Sequence, residues 1–122
     1  MEPVSAFDGL KHESFAYLTT TGRRTGRPHR VEIWFGLDGG ILYLLSGGGD
    51  RSEWVRNLRA NPSVRVEVGG VDGPARARVV DDPHEEATAR RLLAAKYQGW
   101  REGASLSTWA RTALVVAIEP ES

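Results

Sequence analysis

Gly22-Arg23-Arg24-Thr25-Gly26-Arg27-Pro28-His29-Arg30 packs four arginines and no acid into nine residues. Guanidinium groups bind phosphate or carboxylate through a bidentate fork, and glycines let a backbone approach an anion closely. Sixteen basic residues balance sixteen acidic ones over the whole chain, so the remainder is net acidic and positive charge concentrates in this loop. A solvated loop in a chain that prefers Arg to Lys accounts for the same residues.

A second segment, Ser46-Gly47-Gly48-Gly49-Asp50-Arg51-Ser52, leads from an apolar run into a helix start. Free backbone N–H groups and the positive end of a helix dipole suit a phosphate there. Asp50, expected as N-cap of a capping box with Glu53, competes for those N–H groups, and a turn plus a cap explains the segment as well. The glycine spacing matches neither the Walker pattern nor a dinucleotide fingerprint. Trp54 and Leu58 lie four apart on one helical face, where packing explains them. Asn57 is a poor helix former that would reach a ligand amide or carbonyl; taken alone it reads as an ordinary surface residue.

Other routes to chemistry are thin. There is no cysteine. His12, His29 and His84 have no metal-ligand spacing. Ser52, Ser105 and Ser107 lack the context of a nucleophile elbow. Asp81, Asp82, Glu85 and Glu86 read as charges at a helix start. No nucleophile, metal site or acid–base pair emerges, so an enzyme of this sequence takes its chemistry from a cofactor.

These residues need elements to hold them. Phe15–Thr21 is aromatic and β-branched, which predicts a strand. Val31–Phe35 alternates, Asp38-Gly39 is a hairpin turn, and Ile41–Leu45 is a return strand apolar enough to be buried on both faces. A helix of about ten residues follows Asp50 and stops at Asn61-Pro62. Val64–Val68 and Ala75–Val79 alternate around a turn spanning Gly69-Gly70 and Asp72-Gly73. Asp82-Pro83 opens a longer helix, with Glu86 and Arg90 as an exposed i,i+4 pair and Gly99 as its stop. Residues 100–111 are a loop or short helix, and Ala113–Ile118 is a last strand. Six strands in hairpins and two helices predict a mainly β, α+β domain, its antiparallel strands closed into a small barrel.

With 122 residues, 40% apolar and 26% charged, the chain reads as one soluble domain over residues 1–122. Its zero formal net charge gives no footprint for nucleic acid or an anionic membrane. Gly26-Arg27-Pro28 resembles an AT-hook core, but Thr25 stands where that motif needs Arg. Without a signal sequence or an apolar run near 20 residues, the expected location is the cytoplasm.

Thr19–Pro28 (TTTGRRTGRP), followed by Ser46–Pro62 (SGGGDRSEWVRNLRANP) and VRVEVGG, resembles the deazaflavin-dependent nitroreductase family over roughly residues 15–120. The resemblance implies a six-stranded split β-barrel like that of pyridoxamine-phosphate oxidase and a hydride-donating cofactor, coenzyme F(420), whose tail carries a phosphodiester and glutamates. By the same resemblance Arg23, Arg24, Arg27 and Arg30 hold the tail. Ser46, Gly47, Gly48 and Arg51 lie near the phosphate or deazaflavin, Trp54 and Asn57 line the pocket, and Trp34 adds a contact from the following strand. Tyr97 stands as the proton donor or substrate contact in a segment that departs from the family pattern. The implied reaction is hydride transfer to a quinone, nitroaromatic or enone. FMN in place of F(420), or cofactor binding without turnover, are the alternatives. The expected partners are a small-molecule acceptor and a second copy in a homodimer, with no metal, nucleic acid or membrane.

Overall fold

The computed structural model describes Phe7 and residues 9–121. Strands β1 (Ala16–Thr21) and β2 (Pro28–Ile33) pair antiparallel, with Tyr17 opposite Glu32 and Thr21 opposite Pro28. The arginine-rich loop connects them. Gly22 N–H donates to the Arg27 carbonyl and Gly26 N–H to the Gly22 carbonyl, both at 2.8 Å. Gly26 sits at φ +71°, a left-handed conformation that a side chain would strain.

The alternation of residues 31–35 predicts one strand, but the structure ends β2 at Ile33. A separate three-residue strand, β3 (Gly36–Asp38), makes the hairpin with β4 (Ile41–Ser46), and Gly39 and Gly40 form its turn. β3 is too short for a period to show in the sequence. It makes seven strands where six are expected. The others are β5 (Ser63–Val68), β6 (Val71–Val79) and β7 (Leu114–Pro120). β6 starts at Val71, four residues before the expected Ala75, because Asp72-Gly73 pairs with β5 instead of turning.

The sheet order is β2-β1-β5-β6-β7-β4-β3, every pairing antiparallel. β2 and β3 are its two edges, yet only Trp34 and Phe35 separate them in the chain. Three residue steps reach at most about 11 Å. Seven flat strands would set their edges about 29 Å apart. The sheet therefore curls until the end of β2 meets the start of β3 at Trp34-Phe35, a curled, partly open form of the expected barrel.

β4 is buried on both sides, as its apolar run predicts. Leu42 and Leu44 point into the barrel with Leu18, Phe35, Val66 and Ile118. Tyr43 and Leu45 face outward onto α2 (Pro83–Gln98), against Ala89 and Leu93. Asp82 caps α2 by accepting from Glu85 N–H at 2.9 Å, and Gly99 ends it at φ +67°. Arg90 reaches Glu86 at 3.5 Å, but its guanidinium is mostly buried. It donates to the Ala110 and Ala113 carbonyls at the end of α3 (Thr108–Thr112). The expected capping box fails at α1 (Glu53–Ala60). A 3-10 turn over Gly49–Arg51 intervenes, Ser52 becomes the N-cap, and Asp50 pairs with Arg59 at 2.5 Å.

An ion network ties α2 to the sheet. Arg78 grips Glu85 through two bonds of 2.9 and 2.7 Å and reaches Glu119, while Tyr43 Oη donates to Glu85 at 2.6 Å. Hydrogen bonds from Arg78 and Tyr43 hold the Glu85 carboxyl down at about 2. A depressed carboxyl stabilises the fold above its unfolded value near 4.5, and that contribution fades as pH falls toward about 2. Arg78 is 40% exposed, so solvent screening leaves about 1–2 kcal/mol. Glu85→Gln is expected to lose that much at pH 7 and to flatten the acid limb between those pH values, read from urea midpoints. Equal midpoints at pH 7 would remove the network from the stability of the fold.

Candidate functional site

Most of the sequence-predicted residues fall into three groups; Arg30 and Trp54 stand outside them. The first is a cleft of about 190 Å³ lined by Gly22, Arg23, Arg24, Thr25, His29, Glu53 and Asn57. Asn57 builds it. The expectation of a surface residue is overturned: Asn57 is 3% exposed, one helical turn in from the start of α1. Its Nδ2 donates to buried Thr20 Oγ1 at 3.2 Å. Its Oδ1 accepts from Arg23 N–H at 3.2 Å and Arg23 Nη1 at 3.0 Å. A short amide thus anchors the arginine loop to the sheet, and mid-helix Asn, poor for propensity, was the sequence signal. A Cβ on Gly22 would lie 2.6 Å from His29 Nε2 and 2.8 Å from Thr25 Oγ1, so a side chain there would push those two exposed side chains aside.

The arginines are not equivalent. Arg23 is clasped by Asn57 and by Glu53 at 2.7 Å, with its side chain 20% exposed. Arg30 points to the outer face of the sheet, 4.3 Å over the Tyr17 ring and 3.4 Å from Glu67, away from the cleft. Among the described residues, Arg24, Arg27 and Arg51 have exposed side chains with no hydrogen bond or ion pair to occupy them.

The second group is the glycine turn. Ser46 is buried, and its Oγ donates to the Gly49 carbonyl at 3.1 Å and lies 2.7 Å from Ser52 Oγ. A Cβ on Gly48 would meet Ser52 Oγ at 2.7 Å, so the serine pair requires glycine there. Gly47 is exposed and a Cβ would only brush the Trp109 ring at 3.4 Å.

Trp109 leads to the third group. Trp34, just past the end of β2, stacks on Tyr97 with centroids 4.3 Å apart and planes 2° from parallel, and meets Trp109 edge-on at 5.5 Å. Trp34 is 38% exposed, so this platform keeps an open side. Tyr97 is its post. Its hydroxyl accepts from Phe35 N–H at 3.0 Å and lies 2.9 and 3.1 Å from the Ser14 and Phe35 carbonyls. Burial pushes that hydroxyl up, so it keeps its proton. Lys96 Nζ donates to the Phe35 carbonyl at 3.0 Å, and burial lowers its ammonium to about 8. Tyr97→Phe is expected to leave the Phe35 N–H without its partner, cost about 1–2 kcal/mol, and raise the solvent quenching of Trp34 fluorescence. An unchanged melting point and spectrum would deny Tyr97 this post.

Trp54 stays apart from that platform, half-buried against the barrel core. Glu53 and Thr20 join the site although the sequence suggests only a capping role for Glu53 and none for Thr20; Trp109 comes from the 97–111 segment that departs from the family pattern. Their roles depend on partners remote in the chain. Among the described residues, no group of three His, Asp or Glu gathers as a metal site, and no helix is long and apolar enough to cross a membrane.

A family model described as F420H(2)-dependent quinone reductase matches residues 5–119. An F420H(2)-dependent quinone reductase of Mycobacterium tuberculosis is 40% identical over 76 residues, 60% of this chain and 50% of that protein. The chain spans about half the length of the curated relatives it matches. Among solved structures, a conserved hypothetical protein from Mycobacterium tuberculosis superposes with a TM-score of 0.79 at 18% identity, covering 98% of this chain and 82% of that one. A chain from Listeria innocua assigned to the pyridoxamine 5'-phosphate oxidases gives 0.68 at 23% identity, covering 93% and 88%. At these identities the likeness is one of fold, the split β-barrel.

Proposed function

Because the chain belongs to the F420H(2)-dependent quinone reductase family, matching its model over residues 5–119, we propose that it is a deazaflavin-dependent oxidoreductase that reduces a quinone. The observation that carries this reading is the arrangement of these groups. Open arginines stand at one end and an open aromatic platform at the other; the exposed glycine turn between them leads into Glu53, which pairs with Arg23, and at Gly47 it faces the Trp109 ring.

The residues present fit coenzyme F(420). Arg24, Arg27 and Arg51 offer unengaged guanidinium forks to a tail of several anionic groups, more than the single phosphate of FMN needs. Gly47 leaves room for a ring to approach, and Trp34 and Trp109 give it an apolar wall. When bound in its reduced form, the cofactor supplies a hydride. The protein's own part is binding, orientation and exclusion of water. Holding two reactants in register supplies several kcal/mol of rate enhancement without any protein acid. Tyr97 serves here through Trp34, as a positioning residue, because its hydroxyl is committed to backbone partners.

Phe15 and Trp34, the two exposed large apolar side chains among those described, also support a homodimer. Both lie just beyond the Ala16–Ile33 end of the β1–β2 ribbon.

Titration of the purified protein with oxidised F(420), and separately with FMN, tests the reading by cofactor fluorescence. Binding of F(420) alone, followed by oxidation of reduced F(420) on adding a quinone, is the expected result. Binding of FMN alone moves the protein to the flavin branch. Binding without turnover leaves a cofactor-binding protein.

A further inference from the structure

Glu53 is the one acid lining the arginine cleft. Its side chain is 74% exposed; among the described residues it is paired with Arg23 Nη1 at 2.7 Å, and the charges of Arg56 and Arg24 also act on it. Arg23 does not need it for orientation, since the same Nη1 donates to Asn57 Oδ1 at 3.0 Å and Asn57 is buried and anchored on Thr20. Nor does α1 need the ion pair, because a carboxylate in the first helical turn is already favourable there. The pair therefore has little structural work, yet it puts a carboxylate on the one cleft arginine that is held in place.

We infer that Glu53 is a built-in competitor: its carboxylate takes the Arg23 Nη1 donor that Asn57 leaves free, and an anionic oxygen group of the ligand must displace it to claim that donor. Such displacement tunes affinity downward and favours a ligand with several anionic groups, which keeps its hold on Arg24 and Arg27 while Glu53 swings out. The Arg23 guanidinium holds the Glu53 carboxyl below its usual value. This inference rests on the tail-binding reading above for the identity of the ligand, but not for the competition itself.

The test is a double-mutant cycle of Glu53→Gln and Arg23→Gln, probed with oxidised F(420) and, independently, with citrate followed by amide shifts at Gly22–Thr25. Exposed ion pairs of this kind are weak, so Glu53→Gln should bind each probe about two- to fivefold tighter. In the Arg23→Gln background the same change should gain nothing. Unchanged or weaker binding by Glu53→Gln, or a gain that persists without Arg23, overturns the inference. Failure of F(420) to bind any variant, with citrate still tighter on Glu53→Gln, overturns the cofactor reading and leaves the competition standing.

Discussion

Replacing Arg24 and Arg27 together by alanine is expected to weaken binding of F(420) by about one to two orders of magnitude at low salt. Both side chains are exposed and, among the described residues, unpaired, so no internal bond is lost with them. The effect falls on the ligand. A hydrogen bond to a charged group contributes about 1.5–3 kcal/mol, and solvent exposure reduces that to about 1 kcal/mol each here. Two such losses correspond to roughly thirtyfold in Kd. The deficit should shrink as salt approaches 1 M, where the Debye length falls to about 3 Å. Arg23 is left in place in this pair, because its guanidinium is already engaged by Asn57 and Glu53. Fluorescence titration at two salt concentrations measures the effect. An affinity within twofold of the parent at low salt would take the tail away from this loop.

Asn57→Ala is expected to be the most damaging single substitution near the site. It leaves the buried Thr20 hydroxyl and the partly buried Arg23 N–H without partners. An abandoned buried polar group costs about 1–3 kcal/mol, so a total of about 2–4 kcal/mol is expected. For a chain of this size that lowers the melting temperature by roughly 10 °C. The damage should be local before it is global. Amide exchange at Arg23 and Gly26 should accelerate beyond the loss of global stability, because Asn57 is the loop's anchor. A melting point within a degree or two of the parent would mean that water replaces the amide without cost, and the anchor role would fail.

β4, β5 and α2 stand where their patterns put them, because each carries a full period of burial within a few residues. Asp82-Pro83 and Gly99 bound α2 for local reasons of backbone geometry. The misreadings occur where a partner lies outside the local window. Asp50 looks like an N-cap until Arg59 takes its carboxylate. Residues 31–35 look like one strand until the chain must leave β1 and cross to the other edge of the sheet.

The sequence by itself determined the class of the molecule: a cysteine-free, neutral, mainly β domain with charge gathered in one glycine-bounded loop. Composition and local periodicity act within the chain, so they can be read along it. Only the tertiary structure decided which of those arginines are available. Arg23, Arg24, Arg27 and Arg30 are alike in the sequence. They diverge because Asn57 and Glu53, some thirty residues on, capture the first, and Glu67 with Tyr17 holds the last. The same holds for Trp34, Tyr97 and Trp109. Their stacking depends on the curl that brings the end of β2 against α2 and α3, a long-range consequence of sheet closure that no local pattern contains.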